Sequence, residues 1–395
     1  MTSLRLRVGV DLRCLESGEI RGFARYTRAL TTALADRRDI QLTGYCTAPK
    51  AVDVPFDVDP MRAGSEVWSE QAWLPTWAAR RGMDVLWCPA NRGLPFLAPI
   101  PTILTLHDAV EWDASLVPPP QGRSRARFAY SSVCSLASAA RIIVPSASAK
   151  VAVAGRLRIT STRLSVIHEA ADTRFHQSPP AAEIEATLRC HGLVPGYVLY
   201  VGGLDPKKDV ATLLRAVART ASAGHVTVVA GAADGAWNAL ATSAGAARIV
   251  RVESPTDDEL RCLYAAAGCF VFPAIAEGFG LPVVEAMAAG VPVVGANAGA
   301  LPEVIASGGQ LFPPGDDGGL AGVITALLTN DALRDAWATR AAARAREMSW
   351  AQAAKATARV LHEAGEMHRL SVFSNRCVRL RSWRAWMPPR LGRPD

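Results

Sequence analysis

Short apolar runs of strand length alternate with helix-period segments along this chain, and the alternation starts twice. This pattern is typical of parallel strands joined by crossover helices. The first series predicts strands at 6–12, 84–88, 102–106, 141–144 and 164–167. The second series predicts strands at 197–202, 226–230, 249–252, 269–272 and 291–294. The sequence therefore predicts an α/β fold with two doubly wound, Rossmann-like domains.

The length supports the same division. A single hydrophobic core stops growing at roughly 250–300 residues, and this chain has 395. Prolines and a glycine interrupt the stretch 179–195, where we place the crossing between domains. We predict an amino-terminal, acceptor-side domain at 1–185, a second domain at 186–365 and a basic, aromatic segment at 366–395. Ligands of such domains bind at the carboxyl ends of the strands, which here face a shared cleft.

Composition excludes several other classes of protein. Half of the residues are hydrophobic and 20% are charged, which argues against extended disorder. No apolar run is long enough to span a membrane, and no secretory signal is expected. The eight cysteines are scattered singly, without metal-ligand spacing. We therefore expect a cytoplasmic protein with reduced thiols and no bound metal.

The most informative segment is 272–294, which is predicted to run strand, glycine-rich turn, helix, strand. Gly278 and Gly280 allow backbone amides to approach a ligand closely, and Pro282 suits the first position of the following helix. The positive end of the helix dipole faces the same point. This arrangement is typical of an anion site, and a diphosphate fits it.

Two carboxylates flank this turn. Glu277 lies just before the helix and Glu285 lies near its first turn, so both can stand at the same opening. An ionised carboxylate only accepts hydrogen bonds, and the hydroxyls of a sugar or ribose can donate them. Paired carboxylates beside an anion site therefore favour a nucleotide sugar as ligand.

With these residues in place, the chain resembles the retaining GT-B glycosyltransferases of family 4, whose mark is two glutamates separated by seven residues. The strand and basic turn at 197–209, which ends in Lys207 and Lys208, follow the family's spacing, as does the Leu-Pro-Glu-Val segment at 301–304. Residues 68–91 and 105–108 resemble a mannosyltransferase-rich branch. The resemblance is specific over about 197–314 and looser before that range.

The resemblance implies a GT-B fold, with two Rossmann-like domains facing across a cleft, and a role for ten residues. Glu277 would contact hydroxyls of the transferred sugar, Glu285 would contact the ribose, and Lys208 would neutralise the diphosphate. His107 follows an apolar strand and is expected to point into the cleft. The predicted catalytic residues are His107, Glu277 and Lys208. The predicted donor-binding residues are Gly22, Lys207, Gly278, Phe279, Gly280, Leu281 and Glu285.

The chain also departs from the family's pattern. Ala24 stands where a second glycine is usual after the first strand, which weakens the phosphate-loop interpretation of Gly22. Gly203 replaces a common arginine and Ala274 a common serine. Neutralisation of the diphosphate is therefore expected to depend on Lys207 and Lys208 alone.

The resemblance implies a retaining enzyme that transfers a hexose, with GDP-mannose as the leading donor, to a glycan or lipid-linked acceptor. No metal or cofactor is expected, and the nucleotide sugar is a co-substrate. A UDP- or dTDP-sugar-dependent transferase and a nucleotide-sugar epimerase of the same fold remain as alternatives. The net charge of +7 also allows a basic membrane- or RNA-binding protein, although we expect no nucleic acid partner.

The segment 368–393 interleaves arginines with Phe373, Trp383 and Trp386. It can form a helix that crosses back and packs on the first domain. It can also lie on an anionic membrane, with its tryptophans at the interface. Under the second interpretation the protein is peripheral on the inner face of the membrane.

Overall fold

The fold is described by a computed structural model. It covers residues 5–16, 22–62, 64–113, 116, 122–220, 225–231, 237, 245 and 247–385, with side chains at these positions except 66, 122–123 and 369–385.

The first sheet is wholly parallel, with strand order β3-β2-β1-β4-β5-β6-β7. Its strands are β1 Leu6–Asp11, β2 Ile40–Cys46, β3 Val58–Pro60, β4 Val85–Cys88, β5 Thr102–Thr105, β6 Ala139–Val144 and β7 Leu164–Val166. In the central register, Val8 lies opposite Leu42 on one side and Val85 on the other. All three side chains are buried, as expected for a parallel sheet that is covered by helices on both faces.

The second sheet is also parallel, with strand order β10-β9-β8-β11-β12-β13. Its strands are β8 Tyr197–Val201, β9 Val226–Gly231, β10 Arg248–Glu253, β11 Ala267–Phe272, β12 Val293–Ala296 and β13 Gly309–Phe312. The strand order reverses between β1 and β4 in the first sheet and between β8 and β11 in the second. Crevices form at such reversals, beyond the carboxyl ends of the strands. The predicted pair of Rossmann-like sheets is therefore confirmed.

Helices connect and cover the strands. In the described part of the chain they are α1 Phe23–Ala35, α2 Glu66–Trp68, α3 Leu74–Arg81, α4 Gly122–Ser138, α5 Ala147–Leu157, α6 Ala181–Cys190, α7 Val210–Arg219, α8 Asp257–Ala266, α9 Leu281–Ala288, α10 Leu301–Ile305, α11 Asp317–Thr329, α12 Asp331–Arg346 and α13 Trp350–Ala385. A π-helical segment, Ser69–Trp73, joins α2 to α3. A short 3-10 turn, Pro206–Lys208, follows β8 and carries the two predicted lysines.

The last helix crosses back from the second sheet to the first. Ala353, Ala358 and Leu361 of α13 are buried in the same core as Leu6 and Leu30. The return therefore begins near the start of α13, before the predicted position of 366, because the small face of this helix fits the surface formed by β1 and α1. Side chains beyond His368, including Phe373, Trp383 and Trp386, lie outside those described.

Candidate functional site

A cavity of about 940 Å³ lies between the two sheets, at the carboxyl ends of their strands. Both halves of the chain contribute to its wall, and every predicted site residue lies on it. From the first half these are Gly22 and His107, and from the second they are Lys207, Lys208, Glu277, Gly278, Phe279, Gly280, Leu281 and Glu285. The neighbouring Arg21 lies outside the described residues.

The turn before α9 needs glycine at two positions. Gly280 has a φ of 99°, which side chains of L-residues rarely adopt. A Cβ on Gly278 would lie 1.8 Å from the carbonyl oxygen of His107, so the backbone of the first half packs directly against the turn. The amides of Gly278, Phe279 and Gly280 make no hydrogen bond within the described part of the chain. They are therefore available to a ligand at the start of α9.

Glu277 and Lys208 meet at this turn. Lys208 Nζ lies 2.5 Å from Glu277 Oε2, and both side chains are largely buried. The ammonium also lies 5.0 Å from the ring centre of Phe272, where a cation is attracted by the ring face. A backbone hydrogen bond from Ile275 to Lys207 joins the basic turn to the loop that leads to Glu277. The predicted placement of Lys208 beside the glycine-rich turn is therefore observed.

Glu285 is paired with an arginine from the opposite half of the chain. Arg25, on α1, donates to Glu285 Oε1 at 2.6 Å and to Asp257 Oδ1 at 2.5 Å. Tyr264 donates to the other oxygen, Oε2, at 3.3 Å. Both carboxylate oxygens of Glu285 therefore already accept a hydrogen bond.

Arg25 is a cation of the cavity that the sequence analysis missed. Besides Lys207 and Lys208, the cavity wall therefore holds a third cation, which α1 delivers from the first half and which is paired with Glu285 and Asp257. Its signal in the sequence was an arginine in the first turn of a helix that follows the loop at Gly22. Its partner lies 260 residues away, so no local pattern could connect them.

The pKa of Glu285 is raised to about 6, mainly because burial disfavours its charged form. Arg25 opposes this effect, since its positive charge and hydrogen bond favour the ionised carboxylate. The nearby Asp257 raises the pKa again. The protonation of this group is therefore sensitive to the presence of Arg25.

The second lysine forms another contact between the halves. Lys207 Nζ lies 3.4 Å from Asp108 Oδ2, next to His107. Burial lowers the pKa of Lys207, but the negative charges of Asp108 and Glu277 raise it by more, so the pKa lies above its ordinary value. Lys207 is therefore charged, and in this structure it faces a carboxylate across the cleft.

His107 lies on the cavity wall, but both of its ring nitrogens already have partners. Nδ1 lies 3.0 Å from Glu169 Oε1 and Nε2 lies 2.8 Å from the Pro89 carbonyl. A carbonyl only accepts, so Nε2 carries a hydrogen and Nδ1 shares a proton with the carboxylate. Burial lowers the pKa of His107, but Glu169 and Pro89 raise it above its ordinary value. A contact between this ring and a sugar requires one of these bonds to break.

Two more groups join the halves beside the turn. Ser146, at the amino end of α5, donates to the Gly278 carbonyl at 2.7 Å and accepts from the Ala149 amide at 2.9 Å. Ser146 therefore both caps α5 and joins the two halves across the cleft.

Glu303 belongs to the Leu-Pro-Glu segment and accepts from the amides of Ala147 and Ser148 and from His168. Burial raises its pKa, but these donors outweigh that effect and lower it. A motif residue from the second half therefore caps a helix of the first.

No group of three or more potential metal ligands occurs within the described ranges. In the same part of the chain, no helix is both long and apolar enough to cross a lipid bilayer.

Two family models match the chain in succession. The model for Glycosyltransferase Family 4 matches residues 20–175, and the model for Glycosyl transferases group 1 matches residues 193–344. The second match contains the basic turn and both glutamates. The first contains Arg25, His107 and Ser146.

Individual relatives agree with these matches. The O-antigen chain mannosyltransferase B of Escherichia coli is 28% identical over 282 residues, which is 69% of this chain and 73% of that protein. A sucrose-phosphate synthase from Thermosynechococcus elongatus superposes with a TM-score of 0.73 at 19% identity, covering 91% of this chain and 99% of that one. HepE from Anabaena, solved with UDP-glucose, also gives 0.73, at 18% identity over 91% and 100% of the two chains. The two solved structures establish the fold alone.

Proposed function

This chain is a glycosyltransferase with the GT-B fold, and we propose that it transfers mannose from GDP-mannose to a glycan or lipid-linked acceptor with retention of configuration. Both family models describe glycosyltransferases, so the epimerase and the non-enzymatic binding protein that the sequence left open are set aside. Glycosyltransferases use a nucleotide-sugar donor and a glycan acceptor. The identity of the sugar and the stereochemistry are the parts that we propose.

The observation that carries the proposal is the Lys208–Glu277 pair beside the unused amides of the glycine-rich turn. A diphosphate seated at the start of α9 would receive these amides and the positive end of the helix dipole. Lys208 would turn from Glu277 to the phosphate oxygens, and Glu277 would then be free to accept from sugar hydroxyls. One movement thus prepares both the anion site and the sugar site.

Cleavage of the bond between sugar and phosphate leaves a diphosphate and a sugar with oxocarbenium character. Fixed donors that face the developing negative charge lower the barrier. Lys208 and the turn amides would supply them, and Lys207 and Arg25, each paired with carboxylates, lie on the same wall. Glu277 would orient the sugar, and Glu285 would accept from the ribose. The resemblance to retaining enzymes implies attack on the same face, assisted by a phosphate oxygen of the donor.

Mannose is favoured over other sugars by the relative from Escherichia coli, which is named as a mannosyltransferase. HepE was solved with UDP-glucose, which keeps a UDP-sugar as the second candidate. A screen of GDP-, UDP- and dTDP-sugars for hydrolysis and transfer decides between them. Release of GDP from GDP-mannose alone supports the proposal, and turnover of a UDP-sugar alone replaces its donor assignment.

Glu277→Ala tests the assigned role directly. We expect transfer to be abolished while the affinity for GDP-mannose, measured by calorimetry, falls by about tenfold or less, because most donor contacts lie on the diphosphate and ribose. Glu183→Ala, at an exposed position on α6, is the matched control and should behave as wild type. Unchanged turnover in Glu277→Ala would reject the assignment.

Contact with an anionic membrane is also part of the proposal, and the arginine-rich segment 368–393 is one surface that could provide it. Truncation after Leu370 should then lower association with anionic vesicles. The membrane-facing interpretation of this segment fails if the truncated protein binds the vesicles as tightly as the full chain.

A further inference from the structure

Exposed apolar side chains are concentrated on one face of the first half of the chain. Eleven large hydrophobic side chains are exposed among the described residues, and six of them lie in three segments that are close together. We call these six the apolar patch: Val67, Trp68, Phe96, Leu97, Tyr130 and Val133. All exposed aromatic side chains of the described chain belong to it. Contiguous exposed apolar surface usually marks a site of interaction.

Hydrogen bonds show that the three segments are neighbours. Trp68 ends α2 and directly precedes the π-helical segment. That segment accepts a hydrogen bond from the Phe96 amide at Gln71 Oε1, over 2.7 Å. It also accepts one from Ser131 of α4 at Glu70 Oε2, over 3.2 Å. The three segments that carry the patch are therefore held next to one another by these contacts.

The edge of this surface is basic. Arg125 and Arg127 on α4 are exposed, and α4 contains no acidic residue. The chain has no aspartate or glutamate between Asp113 and Glu169. Arg62 is also exposed, two residues before Gly64, which packs against Trp68. Apolar and aromatic side chains thus stand beside arginines.

We propose that the apolar patch docks on an anionic membrane. Tryptophan and tyrosine favour the boundary between lipid and water, and basic side chains are attracted to anionic headgroups. Leu97 and Val133 would enter the acyl boundary, with Arg62 and Arg125 at the headgroups. A second copy of the chain fits less well, because a two-fold interface would bring these arginines close to their own copies.

Docking through the apolar patch would also determine where the acceptor reaches the protein. This part of the inference rests on the proposed function. A second cavity of about 430 Å³ is lined by Arg127 and Phe128 of α4 together with Arg13 and Glu70. Phe23 lines both this cavity and the larger one. Docking through α4 would hold the second cavity close to the lipid surface. A lipid-linked acceptor could then present its sugar there, within reach of the donor.

The test uses the full chain and its double variant Leu97→Glu, Val133→Glu. Sedimentation with vesicles of phosphatidylglycerol and phosphatidylcholine in equal parts measures the association. We expect the apparent affinity of the double variant to fall by about tenfold or more, because two inserted apolar groups become charged and repel the lipid. The matched control is Val151→Glu, Val194→Glu, which changes two valines that are 74% and 66% exposed elsewhere. The control should stay within about twofold of wild type.

Two other outcomes of the vesicle and oligomer measurements overturn the proposal. If the Leu97→Glu, Val133→Glu variant binds vesicles as wild type does and truncation after Leu370 abolishes binding, the carboxyl-terminal segment is the membrane contact. If wild type is a dimer by analytical ultracentrifugation and the variant is a monomer, the patch joins two copies. Calorimetry with GDP-mannose is run on the same proteins. If wild type does not bind GDP-mannose, the donor assignment is refuted. The vesicle result still tests the apolar patch.

Discussion

Two opposing effects determine the pKa of Glu285. Burial favours its neutral form and raises its pKa to about 6, while the guanidinium of Arg25 favours the charged form. The other groups that face it are Asp257 and Tyr264, both on α8. In the proposed function, the ionised carboxylate accepts hydrogen bonds from both Arg25 and a ribose hydroxyl. The charge state of one residue in the second half of the chain therefore depends on one residue in the first.

Arg25→Met should move the acid limb of the kcat/KM profile. Loss of the guanidinium leaves burial and Asp257 to act on Glu285, so its pKa rises above the value of about 6 in the wild type. The fraction of active, ionised enzyme then falls at a higher pH, and the limb shifts upward by about one unit or more. The profile is measured from pH 5 to 9 with saturating acceptor.

Arg25→Lys is the matched control for this measurement. It keeps a positive charge but loses the forked geometry, so its limb should lie between those of the wild type and Arg25→Met. A purely structural role would lower kcat/KM equally at every pH. An acid limb that does not move in Arg25→Met contradicts the proposed coupling.

The helix α5 shows how one element serves both folding and the site. Its amino end is capped from within by Ser146 and from across the cleft by Glu303. The same Ser146 hydroxyl satisfies the carbonyl of Gly278, in the turn that would hold the diphosphate. The position of the turn is therefore linked to the end of a helix in the opposite half.

Ser146→Ala should lower both stability and donor affinity. The loss of the cap costs about 1 kcal/mol, and an unpaired buried carbonyl at Gly278 adds a cost of similar size. Urea unfolding should therefore show a loss of about 1–3 kcal/mol. Ser148→Ala, in the same first turn, should change stability by less than about 0.5 kcal/mol. Equal effects of the two substitutions would show that the contact with Gly278 does not contribute to the free energy of unfolding.

Local signals in the sequence predicted the elements around the site. Pro282 was expected in the first turn of the helix after the glycine-rich turn, and α9 begins one residue earlier, at Leu281. The glycine-rich turn was recognisable because its glycines, glutamates and helix start lie within one short segment. These features are local in sequence, so their chemistry can be recognised without knowing the fold.

Other elements had no such signal. The strands β2, β3 and β13 were missed because they are short or contain Thr43, Gly44 and Gly309, and their pairing with neighbouring strands stabilises them. The pairs Arg25–Glu285 and Ser146–Gly278 join residues that are far apart in sequence. They exist only once the two sheets face each other. The site contacts that the sequence did not predict are therefore those that form only between the two halves.

At the scale of the whole molecule, the last described helix packs on the half of the chain that comes first in sequence. The chain forms the first sheet, crosses to the second and returns along α13, which packs against α1 and against β1, β4 and β6. The first core contains Ala353, Ala358, Val360 and Leu361 from this returning helix. The amino-terminal half therefore lacks part of its core until the carboxyl-terminal helix has been added.

Truncation after Ser349 should consequently unfold the first half while sparing the second. Full burial of Val360 and Leu361 alone contributes about 1.5–3 kcal/mol each, against a typical domain stability of about 5–15 kcal/mol. The loss of the adjacent alanine packing adds to this deficit. Calorimetric unfolding should show a transition at markedly lower temperature, or none, for the first half. Truncation after His368 keeps every residue of α13 that is buried among its described side chains and is the control. If the shorter protein unfolds as the control does, α13 merely covers a core that is already complete, and the first half folds without it.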